Sequence, residues 1–297
     1  MKKKIFTGAG TAIITPLKGG EIDYDRYLRL IEFQIKNAVD AIVVCGTTGE
    51  ASTLTDDEHK KMIEVTVDCV NGRVKVIAGA GSNDTAYAIE LSKHCERAGV
   101  DAILQVTPYY NKTTQKGLVR HFFEIADSVN TPIILYNVPA RTNLNILPST
   151  YEKLSKHENI VATKEASGDM KAVALTRLLC GDELWIYSGN DDDTVPILSL
   201  GGLGVISVLS NLLPRETRDI CELYFEGKTK ESAELHIKYI DLVEALFCET
   251  NPIPVKTAMA LMGLDSGELR LPLCEMEQKN KDMLVDVLKK HGLLGGI

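Results

Sequence analysis

Eight short apolar runs, at residues 10–15, 41–45, 74–78, 102–106, 132–136, 160–164, 184–187 and 204–208, punctuate the first two thirds of the chain. Between them apolar residues recur at helical spacing near 23–38, 57–70, 84–98, 116–128, 149–156, 169–180 and 191–200. Brief apolar runs separated by amphipathic stretches predict parallel strands joined by helical crossovers. Eight strands and seven crossovers in this length favour an α/β fold of the closed (β/α)8 TIM-barrel type over an open doubly wound sheet. Thr55-Asp56-Asp57-Glu58 reads as a capping box that opens the second helix, with Thr55 at the N-cap and Glu58 reaching back. Beyond about residue 211 the strand signals cease, and helical periodicity runs on past Pro214, Gly227, Pro252, Pro254, Gly263 and Gly267. The expected division is residues 1–225 as the barrel and 226–297 as a C-terminal helical appendage.

Composition narrows the functional class. The chain has 297 residues, 44% hydrophobic and 25% charged, enough for one large or two modest cores. A net charge of −8 argues against nucleic-acid and anionic-membrane partners, and Met1-Lys2-Lys3-Lys4 reads as a short basic tail. Seven scattered cysteines without a Cys-x-x-Cys pair suggest reduced, buried thiols and a cytoplasmic location. No run of about 18 apolar residues marks a membrane span. The six histidines lack metal-ligand spacing, and Asp191-Asp192-Asp193 is read as the acidic start of the seventh helix, so no metal is expected. Gly79-Ala80-Gly81 meets Asp84 where a dinucleotide fingerprint needs its third glycine. Gly227-Lys228-Thr229 has Glu222 in place of the first P-loop glycine.

In such a barrel, chemistry belongs at the C-terminal ends of the strands. Those ends carry Gly46-Thr47-Thr48-Gly49-Glu50, Thr107-Pro108-Tyr109-Tyr110-Asn111, Tyr136-Asn137-Val138-Pro139-Ala140-Arg141, Lys164, Ser188-Gly189-Asn190-Asp191 and Ile206-Ser207. A lysine amine attacks carbonyls only in its neutral form, which burial favours, and the resulting Schiff base can make a substrate carbon nucleophilic. Two glycines and two hydroxyls in the Gly46–Glu50 loop suit a small carboxylate. Tyr136 can shuttle protons beside the lysine, and Arg141 can fork onto a second carboxylate. Each group alone has a plainer reading: Lys164 capping a strand and pairing with Glu165, a loop of turn residues, a packed tyrosine, a solvated arginine. Their convergence on one mouth favours the chemical reading.

Gly46-Thr47-Thr48-Gly49-Glu50, Tyr136-Asn137-Val138-Pro139, Lys164-Glu165, Ser188-Gly189-Asn190-Asp191 and Asn251-Pro252-Ile253-Pro254-Val255-Lys256 together resemble the 4-hydroxy-tetrahydrodipicolinate synthase (dihydrodipicolinate synthase) family, along essentially the whole chain. The wider superfamily includes N-acetylneuraminate lyase and related pyruvate aldolases. The resemblance implies a lyase of lysine and diaminopimelate biosynthesis that condenses pyruvate with L-aspartate 4-semialdehyde and needs no cofactor. It implies that Lys164 forms the imine with pyruvate, and that Thr47, Tyr136 and Tyr110 form a proton relay, with Tyr110 supplied across a subunit interface. Thr48 would hold the pyruvate carboxylate, backbone at Gly189 and Ile206 would line the pocket, and Arg141 would take the semialdehyde carboxylate. In the lyases the position of Arg141 is usually apolar, which favours the synthase over another pyruvate-dependent aldolase. A non-catalytic barrel would be marked by loss of Lys164 or Tyr136. A homotetramer, a dimer of dimers, is the implied assembly.

The chain departs from the family pattern in places. Asn143 stands for a common glycine, which a left-handed asparagine tolerates, and Thr113 stands for a frequent proline. At the family's lysine feedback site the matching residues are Ala51, Ser52, Asp56, His59, Asn83, Tyr87 and Tyr109. Lysine-inhibited members tend to carry histidine at Asp56 and glutamate at Tyr87, so weak or absent inhibition by L-lysine is expected.

Overall fold

The structure, a computed structural model, describes residues 2–294; Met1 and residues 295–297 of the expected domains lie outside them. Eight parallel strands close into a barrel in strict chain order: β1 Gly8–Ala12, β2 Ala41–Val44, β3 Lys75–Gly79, β4 Ala102–Val106, β5 Ile133–Asn137, β6 Ile160–Glu165, β7 Trp185–Ser188 and β8 Gly204–Ser207. β1 completes the ring by pairing with both β8 and β2. The expected TIM-barrel fold with C-terminal helices is therefore the observed one.

Helices follow the strands: α1 Tyr24–Lys36, α2 Asp56–Val70, α3 Thr85–Ala98, α4 Gln115–Asp127, the short α5 Pro139–Thr142 and α6 Pro148–Leu154, α7 Met170–Cys180, α8 Thr194–Ser199 and α9 Pro214–Phe225. Four more complete the described chain: α10 Thr229–Lys238, α11 Ile240–Leu246, α12 Ile253–Leu261 and α13 Gln278–Lys290. Strand side chains alternate between two cores. Ile42, Val44, Val76, Ile103, Ile133, Leu135 and Ile160 pack outward under the helices. Val43, Ile77, Leu104, Ile134, Tyr136, Tyr187 and Ile206 fill the barrel. The capping box forms as expected: Glu58 N donates to Thr55 Oγ1, and Thr55 N to Glu58 Oε2.

Three expectations need correction. The first strand begins at Gly8 rather than at residue 10 and ends at Ala12. Gly8-Ala9-Gly10 offers little apolar signal, and Ile14 already leaves the sheet to bond the Asn211 side chain. Lys2 is not part of a free tail. Its ammonium donates to the carbonyls of Ser155, His157 and Ile160, and its own carbonyl accepts from Trp185 Nε1. The thiols are all free, but Cys248 and Cys274 are exposed and Cys69 is partly so; only Cys45, Cys95, Cys180 and Cys221 are buried.

Candidate active site

Parallel register sets Tyr136, Lys164 and Tyr187 side by side on β5, β6 and β7. In-register neighbours of a parallel sheet share a face, here the barrel interior near its C-terminal end. Lys164 is 6% exposed, and its Nζ lies 4.3 Å from the centre of the Tyr136 ring. A floor lies beneath it. Phe6, from the segment before β1, stacks on Tyr187 at 4.4 Å, and the Tyr187 hydroxyl donates to the Phe6 carbonyl.

Glu165 does not pair with Lys164. Alternation points it outward, where its carboxylate accepts from Asn137 Nδ2, the Tyr151 hydroxyl and the Ser167 amide. Burial pushes this carboxyl above its ordinary range, and the hydrogen bonds from Ser167, Asn137 and Tyr151 oppose that shift. The simple strand-cap reading of Lys164 thus loses its ion pair.

Gly189, at the exit of β7, passes so close that a methyl group there would stand 3.1 Å from Lys164 Cε and 2.8 Å from Ala166 Cβ. Its amide donates to the Glu165 carbonyl at 2.7 Å. A side chain there would force Ala166 to shift and would crowd the lysine. Ile206, next to last in β8, lies inside the same barrel core. Just past it, Asp191 is buried and accepts from Ser207 Oγ and from the amides of Val208 and Leu209. The Asp191–Asp193 run forms one 3₁₀ turn ahead of α8, so Asp191 clamps the β8 exit instead of serving a helix dipole.

A cleft of about 430 Å³ opens at this mouth; Thr47, Tyr136, Val138, Arg141 and Thr142 line it together with Ala51, Ser52, His59, Tyr87 and Tyr109. It joins Thr47, Tyr136 and Arg141 in one space, with Lys164 against the Tyr136 face. His59 donates through Nε2 to the Gly79 carbonyl, and burial lowers its basicity, so it is a neutral wall of the cleft. Tyr110 is elsewhere: it is 93% exposed and holds a left-handed φ of 66°. Tyrosine rarely adopts that conformation, and this ring is not among the residues lining the cleft.

The segment leading into α12 holds the site by contacts that no local sequence signal announces. Asn251 donates from Nδ2 to Thr48 Oγ1 at 3.0 Å, and its carbonyl accepts from Arg141 Nη2 at 2.9 Å. Lys256 is fully buried and donates to Glu50 Oε1 at 2.6 Å and to the Thr15 carbonyl at 2.9 Å. Arg270 bonds the Thr53 carbonyl and both oxygens of Glu58, whose carboxyl those bonds hold at about 2. The loop from Thr47 to Glu58 is thus fixed by residues about 200 positions later. For Lys256 a signal was available: a lysine inside an apolar helix needs a buried anion.

Comparison with known proteins agrees with this geometry. Residues 5–291 match the model of the dihydrodipicolinate synthetase family. A 4-hydroxy-tetrahydrodipicolinate synthase of Clostridium tetani is 56% identical over 291 residues, covering 98% of this chain and 99% of that one. A crystal structure of a dihydrodipicolinate synthase superposes with a TM-score of 0.95 at 51% identity, covering 97% of this chain and 100% of the other. The Thermotoga maritima enzyme of that name superposes at 0.96 and 44% identity, over 98% and 100% of the two chains. With its barrel, its mouth lysine and full-length similarity in agreement, the chain belongs to the dihydrodipicolinate synthetase family.

Proposed function

We propose that this enzyme condenses pyruvate with L-aspartate 4-semialdehyde to 4-hydroxy-tetrahydrodipicolinate, with Lys164 as the Schiff-base nucleophile. The observation that carries the reading is the buried Lys164 amine against the Tyr136 ring, in a mouth whose rim holds Arg141. The neutral amine adds to the keto carbon of pyruvate, and water leaves as the imine forms. Loss of a methyl proton gives an enamine, whose carbon attacks the aldehyde of the second substrate. The amino group of that substrate then adds to the imine carbon and displaces Lys164, closing the ring. Proton transfers at each step fall to Tyr136, Thr47 and Tyr110. Thr48 binds the pyruvate carboxylate beside the backbone of Gly189 and Ile206, and Arg141 binds that of the semialdehyde.

Tyr110 reaches a mouth only in a second subunit, which its exposure supports. On α7, Leu175, Leu178 and Leu179 are exposed at i, i+3 and i+4, a stripe suited to another contact. Both features support a homotetramer built as a dimer of dimers. No described helix is long and apolar enough to cross a membrane, in keeping with a cytoplasmic enzyme.

Borohydride reduction in the presence of pyruvate tests the assignment. Mass spectrometry is expected to find the adduct on Lys164 in both the parent enzyme and Arg141→Leu. Turnover of the semialdehyde in Arg141→Leu should fall at least about a hundredfold, the loss of a two-pronged ionic hydrogen bond. An adduct on another lysine refutes the nucleophile; full turnover by Arg141→Leu returns the reading to another pyruvate aldolase.

The outer half of the cleft bears on regulation. The Tyr87 hydroxyl donates a hydrogen bond to Asp56, and Lys60 pairs with that carboxylate. No acidic residue is among the described residues that line the cleft, so L-lysine is expected to inhibit weakly or not at all. Half-maximal inhibition at submillimolar L-lysine in a steady-state assay contradicts this.

A further inference from the structure

Thr48 and Arg141, the carboxylate receptors of the reading above, are both held by one residue from the far end of the chain. Asn251 is 6% exposed; its Nδ2 donates to Thr48 Oγ1, its backbone carbonyl accepts from Arg141 Nη2, and its buried Oδ1 has no protein partner. The side chain is thereby committed to a single donated bond. A hydroxyl carries one hydrogen, so a threonine oxygen that accepts from an amide keeps its own hydrogen to give. A carboxylate oxygen in the mouth is the acceptor that suits it. Five residues on, Lys256 pins Glu50, at the other end of the same loop, so Thr48 cannot slide away from Asn251.

We propose that Asn251 is a positioning residue for substrate recognition, which fixes the Thr48 hydroxyl as a donor toward the pyruvate carboxylate and steadies the Arg141 guanidinium. The proposal rests on the roles assigned to Thr48 and Arg141.

The test is steady-state kinetics of Asn251→Ala and Asn251→Asp, with borohydride trapping and thermal melting alongside. Asn251→Ala should raise KM for pyruvate about tenfold, the value of one hydrogen bond, with kcat within about threefold of the parent. Asn251→Asp keeps the shape but takes the threonine proton and adds a negative charge beside an anion site. It should therefore raise KM further than alanine while melting near the parent temperature. A packing role predicts the reverse order, with the isosteric aspartate the milder change, and that order overturns the proposal. In a Thr48→Val background Asn251→Ala should add less than about twofold, because the hydroxyl it orients is gone; full additivity also overturns it. These results are separable from failure of the site itself. If the parent enzyme gives no Lys164 adduct, the catalytic reading falls and takes the proposal with it; if the adduct forms but KM is unmoved in both variants, the proposal alone falls.

Discussion

Lys164→Met is expected to form no borohydride-trapped pyruvate adduct and to lose at least about 10³-fold in turnover, the scale on which removal of a covalent nucleophile acts. Methionine preserves the length and apolar stem, so the change isolates the amine. Lys164→Arg should fare no better, because a guanidinium stays protonated and cannot form the imine. Lys256, the other lysine buried among the described residues, is not free to substitute, because it is bound to Glu50 and Thr15. Mass spectrometry and a coupled turnover assay check both parts. Residual activity within tenfold of the parent, with an adduct still present, would mean that another amine does the chemistry.

The second large effect concerns stability. Lys256→Met leaves the Glu50 carboxylate buried without its cation, and a loss of about 3–5 kcal/mol in unfolding free energy is expected. The double variant Lys256→Met, Glu50→Gln removes both charges and should recover more than half of that loss, because a buried pair replaced as a unit is far less harmful than a pair broken. Urea denaturation of the two variants decides it. Equal destabilisation of the single and double variants would show that packing, not the ion pair, holds the loop.

The barrel was legible because its strands are apolar on both faces and its crossovers keep helical spacing. Boundaries failed where side chains are too small to signal, as at Gly8-Ala9-Gly10. Lys164, Tyr136, Thr47 and Arg141 could be picked out because a barrel concentrates chemistry at strand ends, a rule that needs no distances. Their partners could not. Whether Glu165 faces Lys164 or turns away depends on strand alternation, and the structure places it against Asn137 and Tyr151. Lys2 looked like a solvated tail because nothing local predicts that three carbonyls from 155–160 will surround it. Asn251 and Lys256 were visible as residues yet silent as roles, since their contacts cross some 200 positions of sequence.

That separation has a consequence for the order in which the molecule becomes competent. Chain synthesis delivers the strand bearing Lys164 well before α12, and the bonds from Asn251 to Thr48 and from Lys256 to Glu50 span 203 and 206 positions. Until that segment is made, the loop carrying Thr48 and Glu50 lacks both of these anchors. The proposed carboxylate receptors Thr48 and Arg141 therefore reach their final hydrogen bonding only with the last quarter of the chain.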